Sequence, residues 1–205
     1  MVTDFGVIIL RLYDSTPLHR DNFIRLVKSG YYDSILFHRV IKNFMIQAGD
    51  PNSKHAQPGE PLGNGGPDYT VPAEFRASLF HKKGVLAAAR ESDDENPSKA
   101  SSGSQFYIVQ GKKFTDTGLD SVETYGLKGR KIPAAVREVY KTTGGAPHLD
   151  LNYTVFGEVV SGLNIVDSIA ASPTSTGEDR DRPLKDIKII KVRLIKKIRR
   201  TESAN

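Results

Sequence analysis

The chain has 205 residues, 38% of them hydrophobic and 26% charged, which places it in the globular range with enough length for one core-bearing domain. Its 18 Gly and 11 Pro follow no period and it has no Cys, so a collagen-like chain, a disulfide framework, a thiolate nucleophile and a Cys-based metal centre are all excluded. Basic side chains outnumber acidic ones, 29 to 24, but segment 185–200 alone carries eight Lys/Arg against one Asp, so no basic field for nucleic acid covers the remainder.

Phe5 to Tyr13 is a β-branched and aromatic run that predicts a strand, and Asp14-Ser15-Thr16-Pro17 supplies helix-start residues after it. Leu18, Phe23, Ile24, Leu26 and Val27 then recur at helical spacing up to Lys28, with Gly30 as the stop. Ile35 to Ile41 and Phe44 to Ala48 read as strands separated by a tight reversal at Lys42-Asn43, and a Gly/Pro loop spans Gly49 to Asp68.

Tyr69 to Phe75, Gly84 to Ala89, Gln105 to Gln110 and Thr154 to Val160 are further strands. Leu163 to Ala171 predicts a second helix. The last strand, Ile187 to Ile198, sets Ile190, Val192, Leu194 and Ile198 against Lys191, Arg193 and Lys197. Residues 112–147, rich in Lys, Arg and Gly with one helix at Pro133 to Lys141, read as an insertion between strands.

The expected fold is mainly β, a closed antiparallel barrel forming one domain over 1–198, with a basic and polar tail at 199–205. No stretch approaches the ~18 apolar residues of a membrane span. As the chain stands it is expected to be a cytoplasmic monomer, with a periplasmic or exported location left open if a leader has been trimmed.

Several motifs fail. Gly63-Asn64-Gly65-Gly66 begins like a dinucleotide fingerprint, but Asp68 replaces the third Gly and no βαβ unit surrounds it. The five His form no metal-binding pair, Ser92-Asp93-Asp94-Glu95 lacks the ligand spacing of a calcium loop, and there is no nucleophile elbow. Neither a metal nor a cofactor is expected.

More informative is Phe37-His38-Arg39-Val40-Ile41 followed by Phe44-Met45-Ile46-Gln47-Ala48-Gly49-Asp50. Alternation places Phe37, Arg39 and Ile41 on one strand face, where Arg39 is either a salt-bridged edge residue or a donor aimed into a groove. Gln105 and Tyr107 share one face of their strand, with Phe106 and Ile108 on the other.

FHRV at 37–40, FMIQAGD at 44–50, GVLAAA at 84–89, SSGSQFYIV at 101–109 and YTVFGEVVSGLNIVD at 153–167 together closely resemble the cyclophilins, the peptidyl-prolyl cis/trans isomerases, which implies a closed eight-stranded antiparallel barrel capped by two α-helices. By this resemblance Arg39 matches the catalytic arginine, and Phe44, Met45, Tyr107, Leu149 and Tyr153 fall where the family lines its proline pocket. Gln47, Ala89, Arg90 and Gln105 fall where it holds the substrate backbone. The substrates implied are X–Pro peptides and unfolded proteins; the alternative is a proline-peptide binding module or chaperone with little turnover.

Three departures from the family pattern stand out. His148 takes the place of a Trp common at the pocket rim, which predicts weak cyclosporin binding. Tyr153 replaces a common His and Tyr107 a common Phe, which predicts hydroxyls in the cup and a changed preference for the residue before proline. The insertion 112–147 directly precedes Leu149, where it either gates the groove or decorates the barrel.

Overall fold

The structure is a computed structural model and describes residues 1–195; the expected end of the last strand at Ile198 and the tail 199–205 lie outside the described residues. The strands are β1 Val2–Thr3, β2 Gly6–Val7, β3 Ile9–Leu12, β4 Ile35–Leu36, β5 Arg39–Ile41, β6 Met45–Ala48, β7 Thr70–Val71, β8 Val85–Ala88, β9 Ser101–Ser102, β10 Phe106–Val109, β11 Val155–Ser161 and β12 Lys188–Lys191. The α-helices are α1 Pro17–Lys28, α2 Asp116–Ser121, α3 Ala134–Thr142 and α4 Leu163–Ala170.

Twelve short strands are found among the described residues where eight longer ones were expected. They pair antiparallel in a six-stranded sheet ordered β3-β11-β8-β10-β6-β5, a four-stranded sheet ordered β2-β1-β12-β4, and the pair β7-β9. As hydrogen-bonded ladders none of the three sheets is closed. The reason lies in two bends: the run from Phe5 breaks at Ile8 into β2 and β3, and the run from Ile35 breaks at Phe37-His38 into β4 and β5, so each half pairs in a different sheet.

The break at Phe37-His38 also overturns the expected alternation. Phe37 is buried with Val40 in the main core, whereas Arg39 is exposed and Ile41 packs on the opposite side, with the cluster around Met45 and Tyr107. In β12 the expected face is likewise wrong: Ile189 is fully buried against its partners Thr3 and Ile35, while Ile190 and Leu194 are about half exposed. A register irregularity between β1 and β12 returns Val192 to the inside.

Among the described residues there are four α-helices: the two expected caps, the expected insertion helix, here α3, and α2, which was not foreseen. The two that pack on the sheets are α1 and α4. Pro17 opens α1 at a position whose N–H is spare, and the carboxylate of Glu74 accepts from the N–H groups of Leu18 (3.2 Å) and His19 (3.0 Å) at the positive end of the helix. Phe23 of α1 meets Tyr32, Phe106 and Phe156 at centroid distances of 5.0–5.6 Å, and burying each such ring contributes about 1.5–3 kcal/mol. Val166, Ile169 and Ala170 are the buried stripe of α4.

The insertion holds α2, a π turn at Val122–Gly126 and α3, which bury Leu119, Leu127, Ile132 and Tyr140 among themselves and against Phe80 and Phe114. Buried Glu123 ties this unit internally: it accepts from Lys131 Nζ (2.7 Å), the Ile132 N–H (3.0 Å) and Arg137 (2.8 Å).

Candidate active site

The site begins at the β5–β6 hairpin. Asn43 takes a left-handed conformation, φ 64°, in the four-residue turn closed by the Phe44 N–H donating to Ile41 O at 3.1 Å. The register that follows sets Arg39 opposite Gln47 and Ile41 opposite Met45. On the other edge of β6, Gln47 faces Tyr107 and Met45 faces Val109 of β10. Alternation along β10 holds as expected: Phe106 and Ile108 enter the main core, while Tyr107 and Val109 turn to a second cluster with Met45, Val85, Leu149 and Val155.

That second cluster is the floor of a notch. Arg39, Phe44, Met45, Gln47, Ala89, Arg90, Tyr107, Leu149 and Tyr153 line a single cavity of about 130 Å³. Gln105 stands just outside, on the wall of an adjoining groove of about 660 Å³ that the notch shares with Arg39, Gln47, Ala89 and Arg90. His148 lies at the edge, its ring 5.3 Å from that of Phe44. Burial holds the His148 imidazole below its ordinary pKa.

Arg39 is half exposed. Its Nε lies 3.5 Å from Asp181 Oδ2 and one terminal nitrogen is 3.5 Å from Gln47 Oε1, so the guanidinium has a partner on two sides, and the residue lines both the notch and the groove. Arg39 is thus ion-paired at the strand edge and also lines the notch. Asp181, left-handed at φ 65°, went unnoticed in the sequence because only the fold brings it to β5.

Gln47 and Gln105 form a chain of amides. Gln47 Nε2 donates to Gln105 Oε1 at 3.0 Å, and Gln105 Nε2 donates to the carbonyls of Gly63 (2.6 Å) and Gly65 (2.8 Å). The glycine loop that fails as a nucleotide motif therefore serves the groove wall. Asp50 holds it by accepting from the Gly63 N–H at 2.6 Å, and a Cβ on Gly65 would collide with that carboxylate.

Ala89 and Arg90 differ from expectation in detail. The Ala89 N–H donates to Gln105 O (3.0 Å) and its carbonyl accepts from Ser102 N (2.8 Å), so its main chain is already paired. The Arg90 side chain is a clamp: Nε donates to Asn152 O (2.9 Å), the other nitrogens to Glu91 O (2.7 Å) and Asp93 Oδ1 (2.5 Å), and the guanidinium lies 4.5 Å from the Tyr153 ring centroid.

Beneath the floor runs a buried polar chain. Asp150 Oδ1 accepts from the His81 N–H (2.8 Å) and from His81 Nδ1 (3.0 Å), which fixes the proton on Nδ1 and leaves Nε2 to accept from the Tyr107 hydroxyl at 2.9 Å. Tyr140 of α3 donates to Asp150 Oδ2 at 2.7 Å. The expectation that the Tyr107 hydroxyl enters the cup is corrected: that hydroxyl is spent on His81, and the ring lines the notch. Burial raises the phenol pKa of Tyr107 and, with Asp150 adding to it, that of Tyr140.

His38, read as structural, is buried, and among the described residues neither ring nitrogen has a partner; burial lowers its pKa to about 4 against the pull of Asp50. His81, Asp150 and Tyr140 were missed at the sequence level; their spacings carry no periodic signal.

The family model for "Cyclophilin type peptidyl-prolyl cis-trans isomerase/CLD" matches residues 1–194. The chain belongs to the cyclophilins. A Staphylococcus aureus (strain USA300) protein provisionally named a peptidyl-prolyl cis-trans isomerase is 35% identical over 190 residues, spanning 92% of this chain and 87% of the relative. A Staphylococcus haemolyticus protein of the same name is 33% identical, with 92% and 86% covered. Among solved structures, a Cryptosporidium parvum cyclophilin type peptidyl-prolyl cis-trans isomerase crystallised in the presence of the dipeptide Ala-Pro resembles this fold with TM-score 0.63, 24% identity, and 93% and 94% of the two chains covered.

The activity of this cyclophilin is accordingly peptidyl-prolyl cis/trans isomerisation, with proline-containing peptides as substrates. Among the described residues no helix is long and apolar enough to cross a membrane.

Proposed function

We propose that this isomerase seats the proline ring of its substrate in the notch floored by Met45, Tyr107 and Leu149, and that Arg39 is the catalytic residue. An X–Pro bond turns slowly because rotation breaks amide conjugation, at a barrier of ~18–20 kcal/mol. No bond is cleaved, so no nucleophile is needed. In the twisted amide the proline nitrogen regains a localised lone pair, and a fixed donor beside it stabilises that state above either planar ground state. Arg39 is permanently charged and restrained by Asp181 and Gln47.

The observation that carries this reading is convergence: residues from five separate stretches, 39–47, 89–90, 107, 149 and 153, line one small cavity with the guanidinium among them. The Gln47–Gln105 amides stand beside it to hold the flanking backbone. Among the described residues the Arg90 main-chain N–H and carbonyl take no internal partner, which leaves them for the same task.

We also read the two larger sheets as one eight-stranded barrel. Counting β2 with β3 and β4 with β5 as single bent strands joins the six- and four-stranded ladders at both edges, supported by bonds from the Ile8 N–H to Met1 O (2.9 Å) and from the Phe37 N–H to Ile187 O (2.9 Å).

Exchange NMR on a proline tetrapeptide tests the reading against a binding module. We expect the peptide to shift the Met45 methyl signal and the protein to speed cis–trans exchange; a shifted signal with no change in exchange rate would establish binding without catalysis.

A further inference from the structure

The notch opens onto two grooves of opposite electrostatic character. The groove of about 660 Å³ beside Arg39 sets Asp68, Glu91 and Glu95 against Arg39 and Arg90. On the far side of Tyr153 a second trough, about 420 Å³, sets Arg90, Lys99, Lys128 and Arg130 against Asp93 alone. Arg90 lines the notch and both grooves, so a chain with its proline seated sends one flank toward each.

The charge of the trough is not cancelled locally. Asp93 is taken up by Arg90 at 2.5 Å, with Lys99 3.5 Å away. Lys99 donates to the neutral Asn152 amide oxygen at 2.7 Å, and Arg130 donates to the Asp150 carbonyl. The Asp150 carboxylate faces inward to His81 and Tyr140. Lys128 is exposed and makes no ion pair among the described residues. Lys128 and Arg130 come from the insertion, which thereby builds one wall of the trough.

We propose that this trough is a subsite for acidic side chains, so that the enzyme selects X–Pro segments bearing Asp or Glu on the flank that crosses Tyr153. The proposal rests on the proline-notch reading. Complementary charge in a concave, partly desolvated channel raises both encounter rate and residence, and the contrast with the opposite groove orients the chain. The insertion then acts in substrate choice and not in the rotation itself.

The test compares kcat/KM for a neutral proline peptide with versions carrying two Asp or two Lys before, or after, the X–Pro pair. On one flank the Asp version is expected to exceed the Lys version by roughly threefold or more at low salt, and the ratio to collapse at about 1 M salt, where screening acts over about 3 Å. Lys128→Glu should shrink that ratio on the same flank only, the comparison being internal to each protein. Equal values for Asp and Lys on both flanks would overturn the subsite while leaving the notch intact, as would a ratio that Lys128→Glu does not move. No turnover of the neutral peptide would remove both.

Discussion

The Tyr107 hydroxyl donates to Nε2 of fully buried His81 at 2.9 Å, so the floor of the notch is tied through Asp150 to Tyr140 of the insertion. A hydroxyl at this position is therefore a structural anchor. Tyr107→Phe should leave His81 Nε2 unsatisfied in the interior and cost about 1–3 kcal/mol in denaturant unfolding, while isomerase turnover stays within a few-fold of the parent. A large loss of turnover with unchanged stability would show that the hydroxyl acts on substrate.

The chain continues into the insertion, and Tyr140→Phe tests that link. It strips one donor from Asp150 Oδ2 beside the apolar cluster of Leu119 and Ile132. The expected outcome is a loss of about 1–3 kcal/mol, with faster hydrogen exchange concentrated in α2 and α3. Exchange that rises uniformly over the whole chain would contradict the view of the insertion as a locally opening unit.

Acid stability follows first from the buried histidines. His38 has a folded pKa of about 4, below the ordinary 6.5, because burial penalises its charged form. A depressed folded pKa means that the unfolded chain binds the proton more readily, so the stability conferred by neutral His38 is complete above pH 6.5 and drains as pH falls toward 4. Buried His19 is shifted in the same direction, burial outweighing the pull of Glu74. Unfolding free energy measured between pH 7 and 4 should fall, and His38→Gln should flatten the slope.

Glu123 governs the next window. Its carboxyl is lowered to about 2 by the hydrogen bond from Lys131 and those from the Ile132 N–H and Arg137. Its contribution is present above the unfolded value of 4.5 and is lost as pH falls toward 2. Glu123→Gln should weaken protection in α2 and α3 at neutral pH and remove their extra acid sensitivity, read by hydrogen exchange at pH 5 and pH 3.

Much of this site was legible because it rests on local rules. The reversal at Lys42-Asn43, the facing of Tyr107 away from Phe106, and the strand bearing Arg39 all follow from turn chemistry and period two. What period could not show was where a strand bends: the break at Phe37-His38 turned Phe37 away from Arg39, and the irregular pairing of β12 buried Ile189 instead of Ile190. The partners Asp181, His81 and Asp150 were invisible for a different reason. Asp181 meets Arg39 across 142 positions, and His81 meets Asp150 across 69, separations that only the finished fold closes.

The central claim is that the Arg39 guanidinium, held by Asp181 and Gln47 at the mouth of the notch, stabilises the twisted amide. The direct test is kcat/KM on a proline tetrapeptide for the parent and Arg39→Ala, with thermal unfolding run on both. Removing a preorganised donor of this kind costs about 10²–10³-fold in rate, so Arg39→Ala should lose at least about 100-fold with its unfolding midpoint nearly unchanged. Turnover within twofold of the parent would contradict the account.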